Sequence, residues 1–82
     1  MLIIIFEKYL SGYKQEIKNN IETTYEEFCT WYPDLTDEYV KVRNLIDEYM
    51  SKIEAATDYE TVNSLYNEYQ EKFYDFVNNL FQ

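Results

Sequence analysis

The sequence predicts an all-α protein, an up-down-up three-helix bundle with a long first helix. Three observations predict it. Apolar residues recur at steps of three and four through most of the 82 residues, the spacing that gathers side chains on one face of a helix. One glycine and one proline leave the chain almost free of helix breakers. Two helix starts are also signalled by capping residues, independently of the apolar pattern.

The first helix is expected over residues 2–31. Ile3, Phe6, Leu10, Tyr13, Ile17, Ile21, Tyr25, Phe28 and Tyr32 form its seam. Gly12 lies inside and costs about 1 kcal/mol relative to Ala. It marks either a kink or the join between an initial strand and the helix. Pro33 ends the segment, because the residue before a proline is pushed out of the α region.

Asp34, Leu35 and Thr36 read as the turn, with Thr36 as N-cap and Asp37 and Glu38 at the positive end of the dipole. The second helix follows over residues 37–56, with the seam Leu35, Tyr39, Val42, Ile46, Tyr49, Ile53 and Ala56. Thr57 and Glu60 have capping-box spacing. The third helix therefore runs over residues 58–81, with Tyr59, Val62, Tyr66, Tyr69, Phe73, Phe76 and Leu80 on its seam.

Short connections make successive helices antiparallel. Phe28, Trp31, Tyr39, Phe73 and Phe76 are then expected at one end, and Ile3, Phe6, Ile53 and Tyr59 at the other. At 1.5 Å per residue the helices measure roughly 45, 30 and 35 Å. The first overhangs, and the overhang holds Leu2, Ile3, Ile4, Ile5 and Phe6, apolar on every side. A homodimer through these five residues would cover them, as would a short strand or a folded-back start. The run is too short for a signal peptide or a membrane span.

A chain of this length is expected to form one domain, residues 1–82, burying roughly 60–65% of its unfolded surface. One cysteine and no histidine leave no internal disulfide and no ordinary zinc set. Aromatic residues, 20% of the chain, supply the apolar area instead. A reducing cytoplasm fits the cysteine usage, the host's if the chain is phage-encoded.

No catalysis and no cofactor are expected. Without histidine there is no Ser-His or Cys-His pair, and there is no glycine-rich phosphate loop. Glu22 with Glu26, and Glu68 with Glu71, share helix faces but read as solvated rows rather than metal ligands. Cys29 follows Phe28 and stands near Glu26 and Glu27, a setting that does not activate a thiol. Tyr25 precedes two acids, as in a phosphotyrosine motif, but falls on the apolar seam.

Charge is the one functional clue. The net charge is −9. Residues 1–33 hold five acids against three bases, and residues 34–82 hold eleven against four. The four later bases have acids four residues away: Asp37 with Lys41, Arg43 with Asp47, Glu48 with Lys52, Glu68 with Lys72. Lys8, Lys14 and Lys18 are placed on the outer side of the first helix. An acidic sheath over the second and third helices follows, with Glu38, Glu54, Glu60, Glu68, Glu71 and Asp75 as candidate binding residues. Tyr74, off the seam, joins them as an interface tyrosine. Tyr39, Tyr49 and Tyr69 read as seam residues with hydroxyls reaching water.

Two readings compete. The acids either keep an aromatic-rich bundle in solution, or form a surface that stands in for nucleic-acid phosphates and occupies a basic groove on a partner. Direct binding to nucleic acid or to an anionic membrane is disfavoured by the sign of the charge. In size and charge the chain resembles small acidic phage proteins that block host nucleic-acid-binding defences, including anti-CRISPR proteins. That resemblance implies an inhibitor of a basic, nucleic-acid-binding protein. An immunity protein against a nuclease toxin fits the same description, and a coiled-coil or dimerisation module with no inhibitory role is the structural alternative.

Overall fold

The computed structural model describes residues 2–80, with side chains from Tyr9 to Leu80. It is all-helical: α1 spans Leu2–Trp31, α2 spans Thr36–Ala55 and α3 spans Tyr59–Asn79. No strand occurs among the described residues. The backbone stays helical from Leu2 through Gly12, so the expected alternative of an initial strand is replaced by one continuous helix. The contacts proposed for the side chains of Leu2, Ile3, Ile4, Ile5 and Phe6 lie outside the described residues.

The three seams form one core. Leu10, Ile17, Ile21, Phe28, Val42, Ile46, Tyr49, Ile53, Ala56, Val62, Tyr69 and Phe73 are buried. Tyr13, Tyr25, Tyr32, Tyr39, Tyr59, Tyr66, Phe76 and Leu80 pack against them, half-buried. Aromatic rings close one end. Phe28 is fully buried and meets Tyr39 at 6.0 Å, Phe76 at 6.1 Å and Phe73 at 6.3 Å, two of the three edge-on. Trp31 does not join them. It is 55% exposed and touches only the neighbouring Tyr32 ring among described aromatic contacts. Phe28 already fills the space between the three rings, so Trp31 turns outward.

Toward the other end, the Tyr13 ring meets that of Tyr59, the first residue of α3, at 5.2 Å with the planes tilted by 43°. Glu54, near the end of α2, meets Lys14 and Lys18 of α1. Eight or more residues of α1 therefore precede the level at which α3 starts, about 12 Å of helix. The long axis of the molecule measures 51 Å against 18 and 15 Å across, as a 30-residue α1 requires.

Both helix starts differ from expectation by one residue. Asp58, not Thr57, caps α3: its carboxylate accepts the backbone N–H of Thr61 at 2.7 Å. Thr36 is already inside α2, and Leu35 holds the cap position with no side-chain hydrogen bond. In each case two adjacent residues could serve, and the turn geometry selects one. The seam tyrosines are also tied inside rather than to water. Tyr49 donates to Glu68 Oε1 at 2.6 Å, and Tyr39 donates to the Tyr32 carbonyl at 3.2 Å. Thr24 gives its only proton to the Ile21 carbonyl at 2.6 Å, so Tyr69 is the donor in the Tyr69–Thr24 hydroxyl pair. A buried tyrosine is tolerated when its hydroxyl finds a partner.

Candidate interaction surface

The distribution of cations defines the surface. Lys14 reaches across from α1 to donate to the Glu54 carbonyl at 3.0 Å, and Lys18 pairs with the Glu54 carboxylate at 2.5 Å. Both were expected on the outer side of α1. The α1–α2 contact draws them in, and Lys18 is only a quarter exposed. Arg43 on α2 makes a two-pronged bond to Glu22 at 2.7 and 2.9 Å, holds Asp47 at 3.0 Å and lies over the Tyr25 ring at 5.4 Å. A planar guanidinium matches a carboxylate in this way. It holds Glu22 below the ordinary carboxylate range.

A second knot surrounds Tyr49. Lys52 lies 4.7 Å and Lys72 5.5 Å from its ring centre. Lys52 also approaches Glu48 at 3.5 Å, and Lys72 approaches Glu68 at 3.8 Å. The Tyr49 hydroxyl pulls the Glu68 carboxyl to lower pKa, and burial pushes Tyr49 itself up. Lys41 pairs with Glu38, three residues back, at 3.3 Å, in place of the expected Asp37. Lys14, Lys18, Lys41, Arg43, Lys52 and Lys72 thus all belong to α2 or touch it.

The candidate acids divide accordingly. Glu38, Glu54 and Glu68 each hold a lysine. Glu60, Glu71 and Asp75 are exposed on α3 and make no ion pair among the described residues. Tyr74 stands beside Glu71 and Asp75, 60% exposed, its ring edge on Phe73 at 6.0 Å, while Glu60 lies in the first turn of α3, about 21 Å away along the helix. The side of α1 that faces α3 carries residues outside the candidate set. Glu16, Glu27 and Trp31 are exposed there. Their positions relative to Tyr13 were the available signal, since steps of three, fourteen and eighteen residues keep them within about 60° of it.

Two shallow, open grooves flank Glu54, one lined by Lys18, Met50, Ser51 and Ala55, the other by Leu10, Ser11, Lys14, Ala56 and Thr57. The lysine of each groove, Lys18 in one and Lys14 in the other, is bonded to Glu54. No group of three or more acids or cysteines is placed to hold a metal ion among the described residues. No helix among them is long and apolar enough to cross a membrane. Comparison with known protein families, curated proteins and solved structures gives no match to the chain.

Proposed function

We propose that this chain is a small acidic protein-binding module, a single-domain up-down-up bundle that occupies the basic nucleic-acid site of a host protein. It is not an enzyme, and it acts in the cytoplasm where that protein resides. One observation carries the reading: every described cation is held against α2, while Glu60, Glu71 and Asp75 are exposed on α3 with no ion pair among the described residues, the last two beside Tyr74. Unpaired carboxylates at helical spacing offer a partner's basic groove the charge it otherwise takes from phosphates, and the exposed tyrosine adds apolar contact.

Competition tests this. Immobilised protein is loaded with partner from host extract, then challenged with a DNA or RNA duplex. Release of a basic protein by duplex and by moderate salt supports occupation of a nucleic-acid site. Retention of the partner through both challenges excludes it. A nuclease toxin as the released partner would make the chain an immunity protein.

A dimerisation module is the second reading. It is supported by the course of α1, helical from Leu2 although α3 begins level with Tyr13. Light scattering decides: a dimer that Ile3→Asp with Ile5→Asp converts to monomer supports it, and a monomer at high micromolar concentration removes it.

A further inference from the structure

We infer that a second copy of this chain packs antiparallel on the outer face of α1, along the stripe Leu2, Ile5, Tyr9 and Gly12. The inference rests on the dimerisation reading above and adds the face, the direction and the register of the contact.

The stripe is separate from the core. α1 is continuous over Leu2–Trp31, and steps of three, four and three residues put these four positions on one face. That face lies about 100° around the helix from Leu10, Tyr13 and Ile17, which pack in or against the core. Two of its members show that it is open. Tyr9 is 67% exposed. Gly12 is exposed, and a Cβ added there meets nothing within 4 Å. Tyr13 meets Tyr59, where α3 begins, so α3 flanks α1 only from that level onward.

The occupant is read from the stripe itself. Positions 2, 5, 9 and 12 are symmetric about Glu7. An antiparallel copy therefore sets Leu2 opposite Gly12 of the partner subunit and Ile5 opposite Tyr9 of the partner subunit, and a two-fold axis repeats both pairs. The glycine leaves room for the leucine, which gives a helix-weakening residue in an exposed interior a packing role. The same register brings the partner helix up to Gly12, one residue short of the level at which α3 begins. Charge agrees. Residues 1–13 hold Glu7 and Lys8 and no other charge, whereas the whole chain carries −9. Two acidic copies thus meet where each is neutral. The antiparallel arrangement also leaves the two bundles about 18 Å apart along the axis, beyond the roughly 10 Å over which exposed charges act at 0.1 M salt. A parallel pair would set glycine on glycine and the acidic bundles side by side. The contact spans eleven residues, about 16 Å. That is short of a permanent interface, so the dimer forms and separates with concentration.

Light scattering on the whole protein, carried from low to high micromolar concentration, tests this. The wild type should pass from monomer to dimer. Tyr9→Asp should weaken the dimer about tenfold or more. Tyr74→Asp places the same charge at a comparably exposed aromatic on α3 and should leave the dimer unchanged. Gly12→Gln separates packing from helix propensity. It should raise the thermal midpoint of the dilute monomer. It should nevertheless weaken the dimer about tenfold, because the longer side chain fills the space opposite Leu2. Circular dichroism checks the helix content of each variant. A monomeric wild type overturns the inference together with the dimerisation reading. A dimer that survives Tyr9→Asp or Gly12→Gln, or that Tyr74→Asp disrupts equally, overturns the face and register alone and leaves that reading standing. Neither result bears on duplex competition for a captured partner.

Discussion

The Lys18 ammonium of α1 lies 2.5 Å from the Glu54 carboxylate of α2. This contact takes a base and an acid out of play together. With Lys14 on the Glu54 carbonyl and Arg43 on Glu22, it makes the α1–α2 face a self-neutralised junction. Among the described residues the acids left without an ion pair are Glu16, Glu26 and Glu27 on α1, Asp34 and Asp37 around the start of α2, the cap Asp58, and Glu60, Glu71 and Asp75 on α3. The pairs themselves are half-exposed, so their worth lies more in where they leave the remaining charge than in stability.

Phe28→Ala should cost about 3–5 kcal/mol, because it removes a fully buried ring that meets four others. A domain of this size has a margin of only about 3–5 kcal/mol, so the variant should be largely unfolded by circular dichroism. Phe73→Leu keeps most of the buried volume and should lose much less in urea denaturation. A Phe28→Ala protein as stable as wild type would mean that the aromatic end is misplaced.

Gly12→Ala should stabilise the chain by roughly 0.5–1 kcal/mol. Gly12 is inside α1, exposed, with a negative φ, and a Cβ added there meets nothing within 4 Å. The thermal midpoint should rise by several degrees. A fall would show that α1 bends at this residue.

Asp58→Ala should destabilise by about 1 kcal/mol, the usual loss of an N-cap, and Thr57→Ala should change little. The pair of variants separates the observed cap from its neighbour. An equal loss at both positions would restore the capping box that the spacing of Thr57 and Glu60 suggests.

Stability should fall at both ends of the pH scale. Arg43, Lys18, the Tyr49 hydroxyl and the Thr61 N–H hold Glu22, Glu54, Glu68 and Asp58 below their ordinary values of 4.5 and 3.8. Groups with depressed folded pKa stabilise above the unfolded value and lose that contribution as pH drops through the folded one. Acid should therefore weaken the fold from about pH 4.5 downward. Burial raises Tyr69 from 10.0 to about 12. Its contribution is complete below pH 10 and is lost as pH climbs through 12. Tyrosinate absorbance and helix content should change together in that alkaline range. Tyr69 ionising near pH 10 with the helices intact would contradict its burial.

The seams were legible because burial on a helix leaves a period in the chain. Every seam residue from Leu10 to Leu80 is buried or half-buried. Pro33 also marks the first turn correctly. Caps were legible only to within one residue, since Thr57 and Asp58 are both good cap residues. Cross-helix partners were not legible. Lys18 with Glu54, Arg43 with Glu22 and Tyr49 with Glu68 depend on the axial register of two helices and on rotamers, neither of which leaves a local trace. Trp31 shows the same limit, because whether it or Phe28 fills the aromatic end depends on the rings of α2 and α3.

The central claim is that binding comes from the unpaired acids of α3 and not from total charge. The most direct measurement compares two triple variants for affinity to the captured partner. One carries Glu60→Gln, Glu71→Gln and Asp75→Asn. The other carries Glu38→Gln, Glu54→Gln and Glu68→Gln, which changes net charge equally but acts on lysine-paired acids. The first set should weaken binding at least tenfold, about 1.4 kcal/mol, and flatten its salt dependence, while the second stays within about threefold of wild type. Equal losses in both, or none in the first, would contradict the account.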